Sequence, residues 1–186
     1  SAALRDIDSE AHNDDFFLGS SIMAKRKKTF HLISLGCPKN LVDSEVMAAL
    51  LADGGYRPVV SPDAADIIIV NTCAFIMPAK EEAIETILLA ATYKRSAACR
   101  LLIVAGCLPQ RYGLELARAL PEVDLFLGTA GVPHIAGHLD RLLCARGKGA
   151  EIHIGKPDFL MTAAHPRRLL TPGHTAYLKI GEGCSN

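Results

Sequence analysis

Two stretches of this chain, Ile67-Ile68-Ile69-Val70 and Leu101-Leu102-Ile103-Val104-Ala105, are apolar at every position. A strand with one wet face alternates apolar and polar residues. One that is apolar throughout must be covered on both faces, as in a parallel sheet between two layers of helices. The segments around these runs fit that frame. Thr29–Leu35 reads as a first strand, and Leu41–Ala52 as a helix with Asn40 as its N-cap and Gly54-Gly55 as its stop. Tyr56–Val60 is a short strand, Asp66–Asn71 a buried one, and Pro78–Lys94 a long helix with Ala83, Ile84, Ile87, Leu88 and Ala91 at helical spacing. The strand Leu101–Ala105, the helix Gln110–Leu120, the strand Val123–Leu127 and the helix Pro133–Ala145 complete the alternation. The expected fold is α/β: three layers, with a mainly parallel sheet of about five strands and helices on both faces.

Composition sets outer limits. The 186 residues hold 20 Lys plus Arg and 20 Asp plus Glu, a formal charge of zero, with 49% apolar and 22% charged residues. That balance excludes a disordered chain and a polycation that grips nucleic acid by bulk charge. No stretch approaches the ~20 continuous apolar residues needed to span a bilayer. Residues 1–28 read as a leader or flexible arm. Five acidic residues there precede Met23, which reads as the natural start, and the basic run Lys25–Lys28 allows weak RNA contact. Residues 29–146 read as one domain and 147–174 as a linker with a short strand at Glu151–Ile154. Residues 175–186 read as the cut beginning of another domain, with a new element over Thr175–Ile180. Six cysteines without an export signal point to reduced thiols or metal ligands in a cytoplasmic protein.

Three of these cysteines share one topological setting. Cys37 follows the first strand, Cys73 the third and Cys107 the fourth, each one to three residues past the strand end. Ligands of open parallel sheets bind beyond the carboxyl ends of the strands, where the strand order reverses. With an order of 2-1-3-4-5, the three strands are neighbours, and their loops span about 10 Å. That scale suits thiolates gathered around one small cluster. Each cysteine also lies near a helix start, whose amides and partial positive charge favour a thiolate. Three thiolates suit a four-iron cluster with one iron left open. Zinc held by three sulfurs and another donor is an alternative, as is plain packing, because cysteine is often buried. Cys99 and Cys144 lack the strand-end setting and read as structural. His134 and His138 can share a helix face, but a metal pair there would need further ligands.

The residues around these cysteines carry a resemblance. Ser34-Leu35-Gly36-Cys37-Pro38-Lys39-Asn40-Leu41-Val42-Asp43-Ser44-Glu45, Asn71-Thr72-Cys73 and Ala105-Gly106-Cys107-Leu108-Pro109-Gln110-Arg111-Tyr112 resemble the N-terminal domain of radical SAM methylthiotransferases. Cys-Pro-Lys-Asn is similar to the branch that modifies an aspartate of the twelfth small-subunit ribosomal protein. The tRNA-adenosine branch tends to carry Gln-Met-Asn there. Pro166-Arg167-Arg168-Leu169-Leu170-Thr171-Pro172 leading into Ala176-Tyr177-Leu178-Lys179-Ile180 also resembles the ribosomal branch. Ala74, Met77-Pro78 and Gly181 depart from the pattern without touching a cysteine.

The resemblance implies that Cys37, Cys73 and Cys107 hold an auxiliary 4Fe-4S cluster with an open iron. Cys184 would be the first ligand of a second, radical SAM cluster whose other cysteines the chain lacks. It implies two clusters and S-adenosyl-L-methionine in the full-length enzyme, one cluster here, and a ribosomal-protein substrate. No catalytic residue lies in this chain, which is expected to be inactive alone. The missing radical SAM and C-terminal domains are expected to pack on this one. A zinc- or cluster-binding docking module remains the non-catalytic alternative.

Overall fold

The computed structural model describes residues 27–144, 149–156 and 161–183. The expected leader lies almost wholly outside them, and so does Cys184. Six parallel strands form one sheet: β1 (Thr29–Ser34), β2 (Arg57–Pro58), β3 (Ile67–Thr72), β4 (Leu101–Gly106), β5 (Leu125–Leu127) and β6 (Glu151–His153). Their order is β2-β1-β3-β4-β5-β6. The 2-1-3-4-5 order and the two helical layers are as expected. The sheet is wider than expected by one strand, because Glu151–His153 pairs with Leu125–Leu127.

The helices are α1 (Pro38–Asp53), α2 (Met77–Ser96), α3 (Cys107–Ala119) and α4 (Ile135–Cys144). None is long and apolar enough to cross a membrane. Strand parity divides the core into two halves, since successive side chains point to opposite faces. Ile67, Ile69, Ile103, Leu125 and Leu127 pack with Met47 and Leu51 of α1 and with Ile135 and Leu139 of α4. Ile68, Val70, Leu102, Val104 and Phe126 pack with Ala83 and Ile87 of α2 and with Leu108 and Leu116 of α3. Both faces are thus dry, which is why these strands carry no alternation.

The last crossover runs against the others. Helices α2 and α3 step the sheet outward from β3 on one face. Helix α4 carries the chain from β5 to β6 in the same direction but on the opposite face, beside α1. Its crossover therefore has the opposite hand to theirs, against a strong general preference. The apolar side chains Val132, Ile135 and Leu139 explain the choice, because they fill the α1 half of the core. Tyr56, just after α1, adds a hydrogen bond from its hydroxyl to Asp140 on α4 at 2.6 Å.

Residues 161–183 have no regular secondary structure and run as a strap over α1. The new element expected over Thr175–Ile180 forms neither helix nor strand. That stretch is held by side chains instead: Arg167 donates to the Tyr177 carbonyl at 2.7 Å, and Lys179 pairs with Asp43 of α1 at 2.7 Å. Arg167 donates from Nε to Glu45 Oε2 at 2.7 Å, and the Leu170 amide donates to Glu45 Oε1 at 2.8 Å. The strap explains why α1 is buried continuously from Val42 to Ala49, including Asp43, Ser44 and Glu45.

Candidate metal centre

The strand order reverses between β1 and β3, so the carboxyl ends of β1, β3 and β4 meet at the switch point. Register pairs Ser34 with Asn71 and Thr72 with Gly106. Cys37, Cys73 and Cys107 leave these ends and line one cavity of about 640 Å³. Cys37 is exposed, Cys73 buried and Cys107 half-buried. Phe75, Ile76 and Ala79 supply an apolar wall.

Local chain geometry brings the thiols together. Gly36 has φ +87, and a Cβ there would lie 2.4 Å from Cys73 Cβ. Only glycine lets the loop carrying Cys37 approach Cys73 so closely. Gly106, before Cys107, has φ +96 and is equally confined: a Cβ would lie 2.4 Å from Asn71 Oδ1 and 2.6 Å from the Thr72 carbonyl oxygen.

A buried amide network ties the three loops. Asn40 donates from Nδ2 to the Thr72 carbonyl at 2.8 Å and to the Leu35 carbonyl at 3.2 Å. Its Oδ1 accepts from the Cys107 thiol at 3.6 Å. Asn71 donates to the Asn40 carbonyl at 2.7 Å and to Ser44 Oγ at 2.9 Å. Asn40 was expected to cap α1, but the helix begins earlier: Cys37 itself is the N-cap residue and Pro38 opens the first turn. Proline suits that position, since its missing N–H would be unpaired there anyway. The freed Asn40 side chain turns inward and serves the site.

Two of the three cysteines sit at helix starts. Cys37 precedes α1 and Cys107 opens α3, which bends at Tyr112 (φ −128, ψ 19). Cys73 is set apart from the helix start, because α2 begins only at Met77. Charge is supplied differently from the expectation. Lys39, Arg111 and Lys179 line the cavity with Asp43 and Glu182, a surplus of one positive side chain when all are ionised. Arg111 is fixed by donating to the Ala74 carbonyl at 3.1 Å, and Lys39 by donating to the Gly183 carbonyl at 2.6 Å.

Lys179 bridges Asp43 and Glu182, each at 2.7 Å. Burial works to lower its pKa, but Asp43 and Glu182 together hold the ammonium above the usual lysine range. Burial pushes the Asp43 carboxyl up to about 6, against the pull of Lys179. Between the ordinary aspartate pKa and about 6, folded Asp43 keeps a proton that the unfolded chain releases. Its contribution to stability is therefore full below that window and declines as pH rises through it, by up to about 3 kcal/mol. Stability measured by denaturant titration from pH 3.5 to 7 should show this decline in the native chain relative to Asp43→Asn. Parallel pH profiles for the two chains would contradict it.

The remaining candidates lie elsewhere. Cys99 is buried in the core half beneath α2. Cys144 is exposed at the end of α4, away from the cysteine cavity. His134 and His138 do not form a metal pair by themselves. His138 instead meets Glu151 and His153 of β6. It is held down to about 4 by burial and by the nearby His153 and Arg141. The sequence reading missed Asn71, Arg111 and Lys179. The only signal for them was proximity to the cysteine motifs or, for Lys179, a place in a stretch read as a separate element.

A doubly wound α/β domain with three strand-end cysteines around one cavity is the class that fold and site define. The chain belongs to the uncharacterized protein family UPF0004, whose family model matches residues 29–128. It is 58% identical over 164 residues to the ribosomal protein uS12 methylthiotransferase RimO of Syntrophus aciditrophicus, covering 87% of this chain and 36% of that protein. Its identity to the proteins of the same name from Heliobacterium modesticaldum and Geobacter sulfurreducens is 52% over 156 residues and 51% over 164. These alignments cover 84% and 88% of this chain, and 33% and 36% of the relatives. The chain thus spans about a third of the length of these curated relatives.

Proposed function

We propose that this chain is the part of a methylthiotransferase that holds an auxiliary 4Fe-4S cluster, and that the whole enzyme adds a methylthio group to an aspartate of ribosomal protein uS12. The observation that carries this reading is the meeting of Cys37, Cys73 and Cys107 at one cavity above three adjacent strand ends. The relatives' shared name supports the substrate.

The residues present fit such a group. The donor set is three thiols, short of the four that usually enclose a cluster, which leaves one iron without a protein ligand. Such an iron supplies a binding position for an exogenous sulfur. Cys37, Cys73 and Cys107 would hold the cluster, while Lys39, Arg111 and Lys179 offset its negative charge. Asn40 and Asn71 fix the loops, and Phe75 and Ile76 give the cavity one apolar side. S-adenosyl-L-methionine and a second cluster begun by Cys184 would be met by the rest of the enzyme, packed on this domain in the cytoplasm. This chain alone would not turn over.

Anaerobic reconstitution with iron and sulfide tests the reading. The expected result is about four irons and four sulfides per chain, with a matching Mössbauer spectrum. Replacing Cys37, Cys73 and Cys107 together by Ala should bring both near zero. Zinc uptake without sulfide would overturn the reading in favour of a docking module. The full-length enzyme should add one methylthio mass to uS12. The same gain on tRNA adenosine instead would overturn the substrate.

A further inference from the structure

The second cluster of metal-ligating side chains lies apart from the cysteine cavity. Glu151 and His153 are two apart on edge strand β6, so both face the helix layer that holds α4. His138 on α4 meets them there. One ligand atom from each of the three lies within 4.8 Å of the others. The rings of His138 and His153 have centroids 4.2 Å apart.

At their centre stands a cationic nitrogen. Arg141 Nη2 is 2.9 Å from His138 Nδ1, 2.8 Å from Glu151 Oε2 and 3.1 Å from His153 Nε2. His153 Nε2 is also 3.1 Å from Glu151 Oε2. This arrangement cannot be fully satisfied. Nη2 carries two protons and faces three groups. If His153 Nε2 is bare, it sets two acceptors against each other at Glu151. If Nε2 carries a proton, it sets two donors against each other at Arg141. One of the four contacts is unfavourable in either state.

We propose that His138, Glu151 and His153 form a binding site for a divalent transition metal of the zinc class, with Arg141 as a built-in cation that the metal displaces. A single dication accepts lone pairs from all three ligands at once, and two imidazoles with one carboxylate are a zinc-type donor set that leaves a fourth position for water. The ligand atoms must close in from the 2.8–3.1 Å contacts around Nη2 to the ~2.0–2.2 Å of zinc bonds. Arg141 is free to leave, because its side chain is half exposed. The bound metal ties α4 to the edge strand β6.

The test uses cobalt and zinc ions. Cys37, Cys73, Cys107 and the exposed Cys144 are first changed to Ser, so that these thiolates do not compete. The expected result is one cobalt per chain, with visible absorption bands of nitrogen and oxygen ligation, bleached by zinc. His138→Asn and His153→Asn should each weaken binding by at least about tenfold, and Arg141→Ala should strengthen it by about tenfold. In the chain with its cysteines intact, His153→Asn should lower the zinc bound by one ion, which keeps the test valid if the Cys-to-Ser variant does not fold. No cobalt bands, affinity unchanged by His153→Asn, or weaker binding by Arg141→Ala would overturn the proposal.

Discussion

Gly106→Ala is expected to destabilise the chain by about 4 kcal/mol or more, with loss of the native fold at physiological temperature as the visible result. Two causes add. The residue sits at φ +96, ψ −147, a region essentially closed to side chains. A methyl group there would also press on fixed atoms, 2.6 Å from the Thr72 carbonyl oxygen and 2.4 Å from Asn71 Oδ1. Neither can give way easily, because Thr72 is in a central strand and Asn71 is tied to Asn40 and Ser44. Gly55→Ala separates the causes. Gly55 has φ +83, but a Cβ there meets nothing within 4 Å. It should cost only about 1 kcal/mol, the backbone part alone. Urea midpoints with unchanged slopes provide the comparison. Equal losses at the two positions would refute the steric account.

Arg167→Ala should cost about 3–5 kcal/mol, although Arg167 lies in an irregular segment. Glu45 is wholly buried on α1, and Arg167 is its charged partner. Removing Arg167 strands a carboxylate in the interior, with the Leu170 amide alone among the described residues still donating to it. The expense comes from the orphan left behind and says little about the pair's net worth. Accordingly, the double change Glu45→Gln with Arg167→Met should recover most of the loss. A double-mutant cycle measures this, and independent, additive losses would refute the coupling.

The strands and their neighbours were legible because burial on both faces leaves an unbroken apolar run, as in Ile67–Val70. The cysteine cavity was legible for the same reason. Once β1, β3 and β4 are adjacent, residues just past their ends must be near one another. Helix starts were less legible. Pro38 marked the start of α1, but Asn40 is the stronger capping residue by type, and tertiary bonds to Thr72 and Leu35 claimed its side chain. Asp43 and Glu45 look solvent-facing in sequence. Their burial depends on Arg167 and Lys179, more than 120 residues onward, and no local pattern encodes that meeting. The short strand within Glu151–Ile154 was legible, but its place in the sheet was not, because three residues, Glu151–His153, are too few to show which element they pair with.

The contact between Lys39 and the Gly183 carbonyl joins points 144 residues apart. Loop closure over that length costs roughly 4 kcal/mol of chain entropy, so such contacts form after shorter-range ones. The wall built from Lys179, Glu182 and Gly183 is thus a latecomer. Until the strap docks, the three sulfurs would stand on a ledge without that wall. Inorganic cargo delivered before the strap docks would meet the three sulfurs from a wider side, and cargo offered afterwards would enter where Cys37 stays exposed.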